Sequence, residues 1–284
     1  MRGRANACGV ALAGYLVPLL SQSTIGLVTL KKGFVEGLVV SLWALLPILL
    51  GWFVSDLDAH GANRLLTLVS SFSLIIVVVA AQILRVTISW QWTLIVVVLA
   101  SVGATLSLVV FAPQGLEQLT PIVMSLLTGG ANSELSKDIL DPELFVLSML
   151  AWGLVVTAVT SLIISRWWQA MVYNPGGFVK EFHRLRLDAR VAQVIVALGV
   201  VGFFLYSEHI LWIQLILVPL LVSGIALAHH SAAALNLNTS FLILMYIGLF
   251  MFSPAFALIL ICLGFVDSQL DLRFKLADMN DLES

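Results

Sequence analysis

The sequence predicts an all-α fold, a polytopic transmembrane helical bundle of about eight spans forming a single integral membrane domain over residues 1–284. Three observations predict it. Hydrophobic residues make up 60% of the chain and charged residues only 11%, where a soluble domain carries about 25% charged. The charges are clustered, leaving long uncharged runs, and about 18 or more apolar residues in a row mark a spanning helix. Within those runs the apolar residues are continuous and not alternating, which excludes strands, because a lipid-exposed sheet would leave backbone groups unpaired.

The runs cover 7–30, 37–54, 65–84, 92–111, 144–165, 191–206, 210–227 and 241–266. At about 1.5 Å per helical residue most match a hydrocarbon core of about 30 Å, and 191–206 is marginal. The first run contains Pro18 and the polar stretch Ser21, Gln22, Ser23, Thr24. It is therefore either one kinked span or two half-helices folded back as a hairpin. Ser253 and Pro254 pose the same choice in the last run. Arginines followed by a long apolar stretch give the amino terminus a signal-like layout, but the stretch is long enough to stay as an anchor.

Orientation follows from lysine and arginine. With Lys31 and Lys32 on the cytoplasmic side, successive crossings bring Arg85, Arg166, Lys180, Arg184, Arg186 and Arg190 to that side and leave Arg64 and Lys137 outside. Trp52, Trp90, Trp92, Trp167, Trp168 and Trp212 fall near expected helix ends, where amphipathic rings favour the headgroup layer. Arg273 and Lys275, close to the last span, favour a cytoplasmic carboxyl terminus. The expected location is the bacterial cytoplasmic (inner) membrane, crossed several times.

Three connecting regions are distinctive. The outer loop 112–143 carries Leu116, Leu119, Val123, Leu126 and Leu127 at helical spacing and predicts a short helix at the outer surface. The inner loop 166–190 joins Trp167, Trp168, Phe178 and Phe182 to a basic excess, which suits an amphipathic segment on an anionic leaflet. Its candidate membrane-interface residues are Trp167, Trp168, Arg184, Arg186 and Arg190. Residues 267–284 read as a polar tail.

For chemistry, the spans are informative by what their centres lack. No Asp, Glu, Lys or Arg lies at the middle of any run, which disfavours proton or sodium coupling through an intramembrane carboxylate. Asp56, Asp58 and His60 resemble metal ligands but read first as helix-end caps. His229 and His230, adjacent and thus on different helix faces, read as structural. Cys8 and Cys262 have no ligand spacing. Neither a phosphate loop nor a nucleophile with a base is present, so no catalytic residue, cofactor or metal is assigned and no enzyme activity is expected. A formal charge of -2 gives no basic field for nucleic acid.

Gln82, Ser101, Thr105, Ser107, Gln214, Asn236 and Asn238 read as hydrogen-bonding links between helices ahead of pocket lining. Small residues recur four apart at Ala7 and Ala11 and at Gly9 and Ala13, a pattern that lets helices approach closely within the chain or against a partner.

Residues 173–187, Tyr-Asn-Pro-Gly-Gly-Phe-Val-Lys-Glu-Phe-His-Arg-Leu-Arg-Leu, and the closing Leu-Gly-Phe-Val-Asp-Ser-Gln-Leu-Asp-Leu-Arg-Phe at 263–274 resemble the YybS-like family of uncharacterised bacterial membrane proteins. The resemblance covers most of the chain. It implies similarity to the substrate-binding S components of energy-coupling-factor transporters, helical bundles without their own ATPase. By that likeness Ala7, Ala11 and Ala13 match the small-residue surface offered to a transmembrane partner subunit. The chain departs from the pattern in having more expected spans than the usual six. Two functions follow: a substrate-binding or transport-related subunit for an unidentified small molecule, or a non-transporting adaptor or scaffold that recruits a partner through its inner loop.

Overall fold

The computed structural model describes residues 3–14, 17, 19–54, 60–128 and 141–274, with backbone alone at 51–54 and 60. Among these the regular structure is helical throughout. The helices are α1 (Arg4–Ala13), α2 (Leu20–Lys32), α3 (Phe34–Val54), α4 (His60–Thr87), α5 (Trp90–Phe111), α6 (Pro113–Thr128) and α7 (Pro142–Tyr173). They continue as α8 (Gly177–His183), α9 (Ala189–Leu205), a 3-10 turn (Ser207–His209), α10 (Ile210–Ile216), α11 (Val218–Ala234), α12 (Ser240–Met251) and α13 (Ser253–Leu270). The all-α bundle is as expected. The chain divides into two compact units, Met1–Tyr173 and Asn174–Ser284.

Among the described residues five helical stretches are long and apolar enough to cross a bilayer: Gly61–Thr87, Trp90–Phe111, Pro142–Tyr173, Ser207–Ala234 and Ser253–Leu270. Phe34–Leu50, Ala189–Leu205 and Ser240–Met251 are shorter apolar helices. Their outward faces carry large hydrophobic side chains such as Leu99, Val110, Val156, Phe204 and Phe250. Such a surface is stable only against lipid tails. The chain is an integral membrane protein.

The first apolar run folds as a hairpin of two half-helices. The Ser21 hydroxyl donates to the Ala11 carbonyl at 2.6 Å, and Arg4 at the start of α1 pairs with Glu36 just beyond the end of α2. Both open ends of the hairpin therefore lie together, and α2 runs antiparallel to α1. A Cβ on Gly14 would meet the Ser21 hydroxyl at 2.7 Å and its amide nitrogen at 2.8 Å, so glycine permits the tight closure. At about 1.5 Å per residue α1 is about 15 Å long and α2 about 20 Å, each too short to span a core of about 30 Å.

In the second unit the last run also folds back. Tyr246 Oη and His229 Nε2 are 3.1 Å apart, so α12 returns along α11. The chain breaks at Phe252, and Pro254 enters the first turn of α13, where its missing N–H leaves no bond unmade. A single straight helix would carry Arg273 about 40 Å beyond Tyr246. Instead the Arg273 guanidinium donates to the carbonyls of His183 and Leu185 in the inner loop, the latter at 2.6 Å. The end of α13 thus lies on the same side as α8.

That geometry predicts a labelling result. With Cys8 and Cys262 replaced, single cysteines at Lys180 and at Phe274 are expected to react with an impermeant thiol reagent from the same side of the membrane. Opposite-side labelling would mean that α12 and α13 form one span.

The connecting regions differ in part from expectation. The inner loop begins at Asn174, because α7 runs on to Tyr173 and takes Trp167 and Trp168 into its last turns. The Pro-Gly-Gly sequence at 175–177 then breaks the helix, with Gly176 at φ +79°. Within 112–143 the structure has the helix α6, which packs on α4 by burying Leu116 and setting Gly115 against the Gly61 carbonyl. Residues 129–140, with Lys137, lie outside the described residues. Of the tail, Asp267 to Leu270 form the last turn of α13, and 275–284 lie outside the described residues.

Candidate functional site

In the first unit α2 is a polar helix at the centre of an apolar bundle, with Ser21, Ser23, Thr24 and Thr29 all buried. The neighbouring long helices run parallel to it. Gly26 packs on Val77 of α4 and on Ser165 of α7, and Gly33, just past the end of α2, packs on Arg85. Ser165 Oγ donates to the Ser23 carbonyl at 2.8 Å, and the Lys31 ammonium sits 3.9 Å over the Tyr173 ring. With the register fixed at these points, Ser73 and Ser161, one turn before Val77 and Ser165, lie level with the first turn of α2.

Several hydroxyls in the unit bond to a carbonyl of their own helix, as Thr29 does to Ile25, Ser41 to Gly37, Thr93 to Ser89, Thr105 to Ser101 and Ser165 to Ser161. By contrast, the hydroxyls of Ser23, Thr24, Ser73 and Ser161 have no hydrogen-bond partner. Their residues are 1%, 0%, 7% and 0% exposed. Ser101, buried on α5, and Gln82 Oε1 on α4 are also unpartnered. An unmade hydrogen bond on a buried polar group costs about 1–3 kcal/mol, so each of these hydroxyls is a place where a polar guest would be stabilised. The start of α2 itself has no side-chain cap, since its N-cap position is Leu19 at φ +65°.

The second unit is closed by a buried ion pair at the inner-loop end. Asp267 is fully buried and accepts from Arg273 Nε at 3.0 Å and from the Leu272 amide at 3.1 Å. The remaining guanidinium nitrogens donate to the His183 and Leu185 carbonyls, and one lies 3.5 Å from the Ser223 carbonyl. Burial lowers the Arg273 pKa from its ordinary value, and Asp267 opposes that shift. Beside this clamp, His183 makes an edge contact with His230, ring centroids 5.9 Å apart. Its pKa lies below the usual histidine value because it is partly desolvated, and the neighbouring His230 and Arg273 charges add to that shift. His229 packs on Phe182 and Tyr246. Among the described residues no group of three metal-ligating side chains converges.

The residues singled out from sequence are dispersed. Ala7 and Ala11 are buried in the chain's own core with Ile25, Val28, Val40, Ala44, Leu74 and Val78, and Ala13 is exposed. Two of the three small residues expected to meet a partner are thus occupied within the unit, because α1 folds against α2 and α3. Trp167 is exposed and Trp168 half-buried on α7. Arg184, Arg186 and Arg190 are exposed, Arg186 pairing with Asp271 at 2.7 Å, while Leu185 and Leu187 between them are buried. Asp56 and Asp58 lie outside the described residues, and His60 is described by its helical backbone alone.

Sequence reasoning missed both centres as sites. Asp267 and Arg273 carried a signal, an aspartate ending an apolar run and an arginine six residues on. The hydroxyl level carried a weaker one in Ser21–Thr24, whereas Ser73 and Ser161 are single serines in apolar helices.

Family models, curated proteins and solved structures were all searched, and none matches this chain.

Proposed function

We propose that the protein is a multi-pass protein of the bacterial inner membrane that binds or passes a small solute, a transport-related subunit without its own ATPase. The observation that carries this reading is the level of four buried, unpartnered hydroxyls around the start of α2. Broken helices with polar side chains near their ends are among the parts from which intramembrane solute sites are built. The resemblance to the YybS-like family and to S components supports the same class. A partner membrane subunit is proposed to meet the exposed Gly9 and Ala13 stripe of α1, the Ala7 and Ala11 stripe being buried.

No central ionisable residue and no phosphate loop accompany these hydroxyls in the sequence, so the reading includes no energy coupling by the chain alone. Purified into sealed vesicles, the protein is expected to bind or equilibrate a small solute passively. Without an energising subunit it should neither hydrolyse ATP nor accumulate solute against a gradient. Accumulation driven by an imposed proton or sodium gradient would contradict the reading.

The adaptor reading rests on a separate observation, the exposed row Lys180, Arg184, Arg186 and Arg190. Each basic residue near an anionic leaflet contributes about 1 kcal/mol. This row is assigned to membrane-surface contact.

A further inference from the structure

We propose that the contact between His183 and His230 is an acid-sensitive latch, which holds the inner-loop helix α8 on the second unit near neutral pH and releases it in mild acid. The helix has seven residues and lies between Gly176, at φ +79°, and the non-helical residues 184–188. So short a helix is unstable alone, and its structure depends on what it packs against. Three contacts hold it. The buried Phe182 packs its ring on His229, centroids 5.5 Å apart, and the His183 ring meets His230 at 5.9 Å. The Arg273 guanidinium donates to the His183 and Leu185 carbonyls. Two of these contacts thus pass through histidine rings of α11.

The surrounding charges decide how the latch responds to protons. Arg273 is balanced by Asp267, and Arg186 by Asp271. His183 faces Arg273 and His230, while His230 faces Arg273 and Asp267. From α12 comes Tyr246, bonded to His229, and α8 itself carries Lys180, Glu181 and Arg184 near His183 in sequence. A proton on His183 or His230 therefore puts a new positive charge beside a fixed guanidinium. The attraction of Asp267 for a charged His230 is already taken up by Arg273. His230 Nε2 and His229 Nδ1 are buried without a hydrogen-bond partner, so an imidazolium at either position would bury an unpaired N–H. His183 lies below the ordinary histidine pKa, by partial desolvation first and then by the His230 and Arg273 charges. The released helix therefore binds protons more readily than the held one. The latch is at full strength above the ordinary histidine value of about 6.5 and weakens as the pH falls below it. Its equilibrium constant changes by up to about tenfold per pH unit for each ring that takes up a proton.

Hydrogen exchange of the full chain in detergent tests this, read by mass spectrometry from about pH 8 to about pH 5.5 and corrected for the intrinsic pH dependence of exchange. Protection of residues 177–187 is expected to fall about tenfold or more across that range, while protection of α4 and α5 stays level. His183→Gln combined with His230→Gln removes both titrations and should keep the segment equally protected at both ends of the range. His183→Arg, charged throughout, should leave it open even at the upper end. Protection of 177–187 that is independent of pH in the wild-type protein would overturn the proposal. A loss shared equally by α4 and α5 would do the same, since it reports general acid unfolding. A fall that survives in the double glutamine variant would assign the effect to other groups and overturn it too. Where the double variant does not fold, the wild-type comparison between segments and the single His183→Gln variant decide.

Discussion

Replacing Arg273 by alanine is expected to destabilise the second unit by about 3–5 kcal/mol, because it leaves the fully buried Asp267 carboxylate without its counter-charge. The loss extends beyond the ion pair. The same guanidinium satisfies the carbonyls of His183 and Leu185, so the inner loop and the end of α13 come apart together. Lysine is not expected to rescue, since a single ammonium cannot meet a carboxylate and two carbonyls in the planar fork that arginine supplies. Reversible unfolding in mixed micelles, read by tryptophan fluorescence, checks both variants. Asp267→Asn should fall short of Arg273→Ala in cost, because the amide can still accept from the arginine although the charge is lost.

The second large effect is expected where α11 and α13 cross. Gly224 and Gly264 bring the two backbones into contact: a Cβ on Gly224 would run into the Leu260 carbonyl, and one on Gly264 into the Leu220 carbonyl and the Gly224 nitrogen. Backbone atoms cannot rotate away as a side chain can. Alanine at either position must separate the helices, at about 1–3 kcal/mol, and valine at more. Because Asp267 lies one turn beyond Gly264, separation also disturbs the clamp. The Gly264→Ala and Arg273→Ala costs should therefore not add, and a double-mutant cycle measures the coupling.

The bundle was legible in the sequence because the bilayer leaves few choices: uncharged runs must be helices, and their lengths set the spans. The two hairpins were legible as alternatives. Pro18 with Ser21 to Thr24, and Ser253 with Pro254, mark chain breaks in either reading. What chose between kink and hairpin was pairing at long range, Arg4 with Glu36 and Arg273 with the Leu185 carbonyl 88 positions away. No local periodicity encodes such partners. The small residues show the same limit: Ala7, Ala11, Gly9 and Ala13 announce close packing, but only the fold decides which stripe is filled from within. The hydroxyl level depends on the register of α2, α4 and α7, set by Gly26 packing on Val77 and Ser165. Ser73 and Ser161 acquire meaning only from that register.

Cysteine accessibility tests the central claim, that a polar guest reaches the start of α2, most directly. With Cys8 and Cys262 replaced, Ser23→Cys and Ser161→Cys are placed singly in vesicles, with Ile25→Cys, equally buried on the same helix, as the reference. A small water-soluble thiol reagent is expected to modify the cysteines at 23 and 161 and to leave the one at 25 unmodified. Three unreactive cysteines, or equal modification at 25, would show that the hydroxyl level is sealed packing and would contradict the account.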